Sequence, residues 1–117
     1  MLAEARRAAP ESDMLTDRRR AHRVKVNLPA RWEGSLQQGE GTVTSLSFNG
    51  CFLLSGGKVH AKELLRIEIY LPDEEPLYVW SEVVDHAFEI GFAVRFTLIE
   101  NDDHARLAAL ILRAAEI

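Results

Sequence analysis

Four of the seven residues in Asp17-Arg18-Arg19-Arg20-Ala21-His22-Arg23 are arginines. A guanidinium carries a fixed fork of N–H donors. The fork matches two oxygens of a phosphate, or the O6/N7 edge of guanine, with two parallel hydrogen bonds. Its flat face also stacks on a base. Arg18, Arg19, Arg20 and Arg23 stand just ahead of the first regular hydrophobic alternation, so they are candidates for clamping a small anionic ligand at the mouth of a folded domain. A basic tail that is merely solvated is the alternative. A second polar constellation is Ser45-Leu46-Ser47-Phe48-Asn49-Gly50. Ser45 and Ser47, two apart, share one face of an extended chain. Gly50 leaves room for close backbone approach or a positive φ. Taken alone, this segment reads as a polar turn.

The other reactive residue types do not assemble. His22, His60, His86 and His104 are scattered, and Cys51 stands alone. No zinc-like spacing results, so neither a metal nor another cofactor is expected. Cys51 sits in an apolar run and reads as core. Ser55-Gly56-Gly57-Lys58 lacks the frame of a phosphate loop. Glu82, Asp85 and Glu89 lie near an expected hairpin and read as solvated carboxylates. With no nucleophile, base and orienting group in sight, no enzyme activity is expected. Trp80 reads as packing beneath a helix rather than stacking on a ligand base.

Charge narrows the ligand. The net formal charge is -4, and residues 24–117 carry eight basic and fourteen acidic groups. The arginines are a positive focus on an acidic body. Such a body repels long polyanions, so DNA is not expected as a partner, and a basic-arm nucleic-acid binder is the disfavoured alternative. A small anion that meets only the focus avoids the repulsion. No apolar run approaches the roughly 18 residues of a membrane span. Met1 to Asp13 lacks the apolar block of a signal peptide. A cytoplasmic protein with no membrane insertion is expected.

The elements that position these residues follow from periodicity. At 117 residues and 47% hydrophobic content, one globular domain is the natural expectation. Residues 1–16 read as a flexible arm and 17–117 as the domain. Val24 to Trp32 alternates with period two, a half-buried strand, with Pro29 suggesting an edge or bulge. Glu33 to Gly41, with three glycines, reads as a turn. A second strand starts at Thr42; its parity breaks before Leu46 and Phe48, which marks a bulge. Asn49-Gly50 reads as a tight turn. Further strands are expected over Cys51–Leu54, Leu65–Leu71 and Leu77–Val84, with turns at Pro72–Pro76 and Asp85–Ala87. A sixth runs through Phe88, Ile90, Phe92, Val94, Phe96 and Leu98. Leu107, Leu110, Ile111 and Ala114 then have helical spacing, from about Asp102 to Ala115, with Asn101 or Asp102 able to cap. The sum is a mainly β chain: a six-stranded antiparallel β-barrel or strongly curved sheet with a C-terminal α-helix.

Arg19-x-x-x-Arg23 and Ser45-x-Ser47-x-x-Gly50, on this strand count, resemble the PilZ domain family. Its signature is Arg-x-x-x-Arg on an N-terminal arm, followed by Asp/Asn-x-Ser-x-x-Gly. Glu89-Ile90-Gly91-Phe92-Ala93-Val94-Arg95-Phe96 is similar to the family's glycine-bearing sixth strand. The resemblance covers residues 17–115 and implies the six-stranded barrel with a C-terminal helix. It also implies a ligand, the bacterial second messenger cyclic di-GMP. The implied binding residues are Arg18, Arg19, Arg20, Arg23, Ser45, Ser47 and Gly50, with Arg18 and Arg20 similar to the extra arginines that hold a stacked ligand dimer in some members. The implied role is an adaptor that signals through a partner, a signalling or motility protein. Ser45 departs from the pattern. A serine hydroxyl bonds at one point where a carboxylate accepts from two guanine donors, and losing one bidentate base contact weakens binding by about 1–3 kcal/mol. The alternative that this leaves is a domain of the same fold that acts as a protein-interaction module without binding cyclic di-GMP.

Overall fold

The computed structural model describes residues 22–87 and 89–115. The arm expected over 1–16, and Arg18, Arg19 and Arg20, lie outside the described residues. Six strands precede one helix: β1 (Val24–Glu33), β2 (Gln38–Leu46), β3 (Gly50–Leu54), β4 (Leu64–Ile69), β5 (Leu77–Ala87), β6 (Gly91–Ile99) and α1 (Asn101–Ala115). Every pairing is antiparallel, and the order β1-β2-β3-β6-β5-β4 closes because β4 returns to β1. This is the expected six-stranded barrel with a C-terminal helix.

Alternation fills the barrel. Leu28, Ala30 and Trp32 of β1, Leu65, Ile67 and Ile69 of β4, and Leu77, Val79 and Val83 of β5 all turn inward and are buried. Cys51 of β3, read as core from the sequence, joins them, as does Leu53. Trp32 anchors one region. Its ring meets Phe92 edge-on at 5.6 Å, and its Nε1–H donates to Ser55 Oγ at 3.0 Å. Gly39, expected in a turn with Gly41, is instead in β2 directly opposite Trp32. A side chain at Gly39 would run into the indole ring, so the glycine here makes room for a neighbour rather than bending the chain. The turn itself is shorter, over residues 34–37.

Single-residue bulges break the ladder at four places: Lys25/Leu28 on β1, Val43/Ser45 on β2, and Trp80/Ser81 and Val83/Asp85 along the β5–β6 pairing. Each bulge flips the inside–outside parity and adds the bend that a small closed barrel needs. The parity break expected before Leu46 is one of them: Val43 and Leu46, three apart, are both fully buried. Two other expectations fail for the same reason. The sixth strand starts at Gly91, not Phe88, and after its bulge Leu98 faces out at 59% exposure while Ile99 packs on the core. Strand β5 runs on to Ala87 past its own bulge, so the expected turn at 85–87 falls later, with Glu89 and Ile90 in the turn before β6.

Helix α1 lies against β1 and β5. Leu107 and Ile111 are buried, with Leu110 and Ala114 partly so. Its start is tied to the barrel: Asp103 accepts from the backbone N–H of Tyr78 at 3.1 Å. Arg106 donates to Asp103, to Glu74 and to the carbonyls of Glu75 and Pro76. The β4–β5 turn and the helix are thereby locked together. No described helix is long and apolar enough to cross a membrane.

Candidate functional site

The segment after β2 is organised by Ser47. Its backbone N–H donates to the carbonyl of Gly50 at 2.9 Å. Its hydroxyl accepts from the N–H groups of Asn49 at 3.1 Å and Gly50 at 3.2 Å, and donates back to the Gly50 carbonyl at 3.3 Å. Ser47 is 2% exposed. A short polar side chain thus satisfies donors that a tight turn leaves unpaired. The turn is centred on Phe48 and Asn49 rather than on Asn49-Gly50. Gly50 already belongs to β3, opposite Arg95 of β6. No described glycine has positive φ. Gly50 serves close approach instead, because a β-carbon there would strike the backbone carbonyl of Val94. The turn is held from outside as well: the Asn49 carbonyl accepts from Phe96 N–H at 2.7 Å, and the Phe48 ring lies 6.5 Å from that of His104 on α1.

Ser45 sits differently. The bulge between Val43 and Ser45 and the turn after Leu46 separate the two serines: Ser45 is half-buried on the outer wall, whereas Ser47 points into the turn. Arg23, exposed just ahead of β1, donates from Nη1 to Ser45 Oγ at 3.1 Å. The end of the arginine run and the start of the serine motif therefore touch.

The register adds two residues that the sequence did not mark. Lys25 is exposed and directly opposite Ser45 on β1. Phe52, half-buried, is directly opposite Ser45 on β3. Residues opposed in an antiparallel ladder put their side chains on the same face, so Lys25, Ser45 and Phe52 form one outer row with Arg23 at its edge. The row offers two cations, a hydroxyl and an aromatic surface. It can attract an anion, give one hydrogen bond to a base edge, and provide an apolar bed beside it. Lys25 and Phe52 were legible as strand residues, but their pairing depends on strand register and on two bulges, of which the parity break before Leu46 marks only the one on β2. Beyond the turn, Arg95 is ion-paired with Glu82, its neighbour across β5–β6.

Beneath the row lies Cys51. Burial pushes its thiol up to about 12, against a smaller opposing effect of the nearby Arg23 charge. Trp80, expected beneath the helix, is on the outer wall at 48% exposure, because Val79 and Ser81 on either side of it face inward. Among the described residues, no three His, Cys, Asp or Glu side chains converge as metal ligands.

The chain belongs to the PilZ domain family: the model of that family, described as the PilZ domain, matches residues 17–113. Solved structures repeat the barrel at low identity. The PilZ domain of YcgR from Escherichia coli, determined with c-di-GMP, is 12% identical with a TM-score of 0.71 over 85% of this chain and 92% of that one. The Bacillus subtilis inhibitor of motility MotI/DgrA is 19% identical with a TM-score of 0.70, over 85% of this chain. This chain covers 51% of that protein, about half its length. The PilZ domain of CeSA from a cellulose-synthesizing bacterium is 17% identical with a TM-score of 0.62, over 79% of this chain and 96% of that one. No curated protein matches the sequence.

Proposed function

We propose that this chain is a cyclic di-GMP receptor that works as an adaptor: it binds the dinucleotide through Arg18, Arg19, Arg20, Arg23 and the Ser45–Gly50 segment, and passes the signal to a partner protein of a signalling or motility system. The observation that carries this assignment is the 3.1 Å hydrogen bond from Arg23 to Ser45, which joins the two motifs at one point. Membership of the PilZ domain family and the likeness in fold to the E. coli domain determined with c-di-GMP support it. Arg19 and Arg23 hold a guanine edge or a phosphate by bidentate bonds. Ser45 gives one further bond, Lys25 adds charge against a phosphate, and Phe52 supplies apolar contact to a base. Ser47 and Gly50 act by holding the turn, which leaves backbone rather than their own side chains to face the ligand. The arginines repel one another in the free protein, and an anionic ligand draws them onto the barrel, which changes the surface that a partner meets. The assignment is of a binding module and involves no reaction.

A second function is favoured by one observation, the serine at position 45, whose hydroxyl is engaged by Arg23 and offers a ligand a single bonding point. On that view the domain is an interaction module that does not take cyclic di-GMP. Calorimetric titration with cyclic di-GMP, with GTP as control, separates the two. Micromolar or tighter binding, lost in Arg19→Ala and Arg23→Ala, establishes the receptor. A folded protein that gives no heat with cyclic di-GMP overturns the receptor, and a pull-down with the full chain then tests the module.

A further inference from the structure

The wall formed by β4, β5 and β6 carries an apolar surface that neither the core nor the ligand row uses. Trp80 and Leu98, 48% and 59% exposed, are direct partners across β5–β6. Arg66 is the partner of Trp80 across β4–β5 and lies 6.0 Å over the ring of Tyr78. These side chains line a groove of about 470 Å³ that ends against the start of α1, at Glu100 just before the helix and Asp102 in its first turn. The two ends differ in charge balance. Arg66 has a counter-ion in Glu33 at 3.6 Å. Among the described residues, the side chains of Glu100 and Asp102 make no hydrogen bond or ion pair, whereas the adjacent Asp103 is occupied by Arg106 and by the Tyr78 N–H.

We infer that this groove docks a partner protein through a short segment in which a lysine or arginine stands next to an aromatic or aliphatic residue. An apolar centre with a charged rim is the anatomy of a protein interface, and Trp, Tyr and Arg are the residue types that dominate such interfaces energetically. The apolar side chain seats on Trp80 and Leu98, and the cation meets Glu100 and Asp102. Charge complementarity selects this occupant over a second copy of the chain. A second copy brings the same acidic rim, and residues 24–117 carry fourteen acidic against eight basic groups, so self-association sets like charges face to face. The groove is on a different wall from Lys25, Ser45 and Phe52, so docking here does not require the ligand row.

The test is selection of random short peptides displayed on phage against the immobilised full chain, with and without cyclic di-GMP. The expected outcome is enrichment of sequences that place Lys or Arg beside Trp, Phe or Leu. A synthetic peptide of the winning sequence should then bind at least about tenfold more weakly to Trp80→Ala and to Leu98→Ser. It should bind several-fold more weakly to the Glu100→Gln/Asp102→Asn double variant, in which exposed, near-isosteric amides remove the charge while position 102 keeps a capping side chain, and more weakly as salt is added. No enrichment, enrichment of acidic peptides, or binding that survives these substitutions overturns the inference. So does a dimer in sedimentation that Trp80→Ala disperses, because the second copy is then the occupant. Cyclic di-GMP titration of the same variants keeps the two proposals apart: a protein that binds no cyclic di-GMP but recovers basic peptides upholds the groove, and one that binds the ligand but recovers none overturns the groove alone.

Discussion

Gly50→Ala tests whether the turn is built as described. The added β-carbon would overlap the Val94 carbonyl oxygen, and would also lie 3.1 Å from the Val94 carbonyl carbon and 3.2 Å from Arg95 Cα. All three obstacles are main chain of β6, so no side chain can rotate away. The Gly50–Arg95 register pair must open, and with it the hydrogen bonds that Ser47 makes to Gly50. Overpacking a rigid interior costs about 1–3 kcal/mol, and each weakened hydrogen bond adds about 1 kcal/mol. A destabilisation of about 3 kcal/mol follows, which at an m-value of about 1–3 kcal/mol/M lowers the urea midpoint by at least about 1 M. Gly56→Ala is the control. Nothing lies within 4 Å of its β-carbon and its φ is not positive. Both substitutions remove the same conformational freedom from the unfolded chain, a gain of about 0.4–1 kcal/mol, so their difference isolates the collision. Urea unfolding of the two variants is the assay, followed by ligand titration at a concentration where Gly50→Ala is still folded. Equal midpoints would falsify the close approach of β3 to β6 as the reason for this glycine.

Four further outcomes are expected. Ser45→Asp restores a two-oxygen acceptor beside Arg23 and should tighten cyclic di-GMP binding by about 1–3 kcal/mol; calorimetry that finds unchanged or weaker affinity contradicts the role given to position 45. Ser47→Ala leaves the N–H groups of Asn49 and Gly50 without their acceptor and should cost about 1–3 kcal/mol in denaturant unfolding, more than Ser45→Ala does. Ser81 Oγ is fully buried with no hydrogen-bond partner among the described residues, so Ser81→Ala should stabilise by up to about 1 kcal/mol, and a loss of stability would mean that the hydroxyl has a partner. The Cys51 thiol, raised in the folded state from 9.0 to about 12, contributes stability that is complete below pH 9 and is lost as pH rises from 9 towards 12; it should not react with a disulfide reagent at pH 8 until urea unfolds the chain, and Cys51→Ala should remove that part of the alkaline loss.

The strands were legible because a half-buried strand writes its face into every second residue. Leu65, Ile67 and Ile69 gave β4 within one or two residues, and the change of period at Leu107 gave the helix. The misplacements cluster where that code is interrupted. The bulge on β6 adds one residue with no break in the alternation of the sequence, so Leu98 reads as sharing the face of Phe96 but lies outside. Gly39 was assigned to a turn by its type, but its position is dictated by an indole on the neighbouring strand, a fact that exists only after pairing. For the site, the arginine cluster was visible as composition. The adjacency of Lys25 and Phe52 to Ser45 was not, since it is a property of register.

The serine motif also divides in a way that its linear form hides. In Ser45-x-Ser47-x-x-Gly50, the last two named residues answer structural demands: Ser47 saturates the turn and Gly50 admits the carbonyl of Val94. Ser45 answers none of them. It is on the outer wall, and its hydroxyl meets the exposed end of the Arg23 side chain. Position 45 can therefore change its chemistry without disturbing the barrel, whereas 47 and 50 cannot. A departure from the family pattern at this position is one that the fold permits, whereas a departure at either of the other two would have argued against the fold itself. The serine at 45 leaves the barrel intact, and titration of Ser45→Asp with cyclic di-GMP measures what position 45 contributes to the proposed binding.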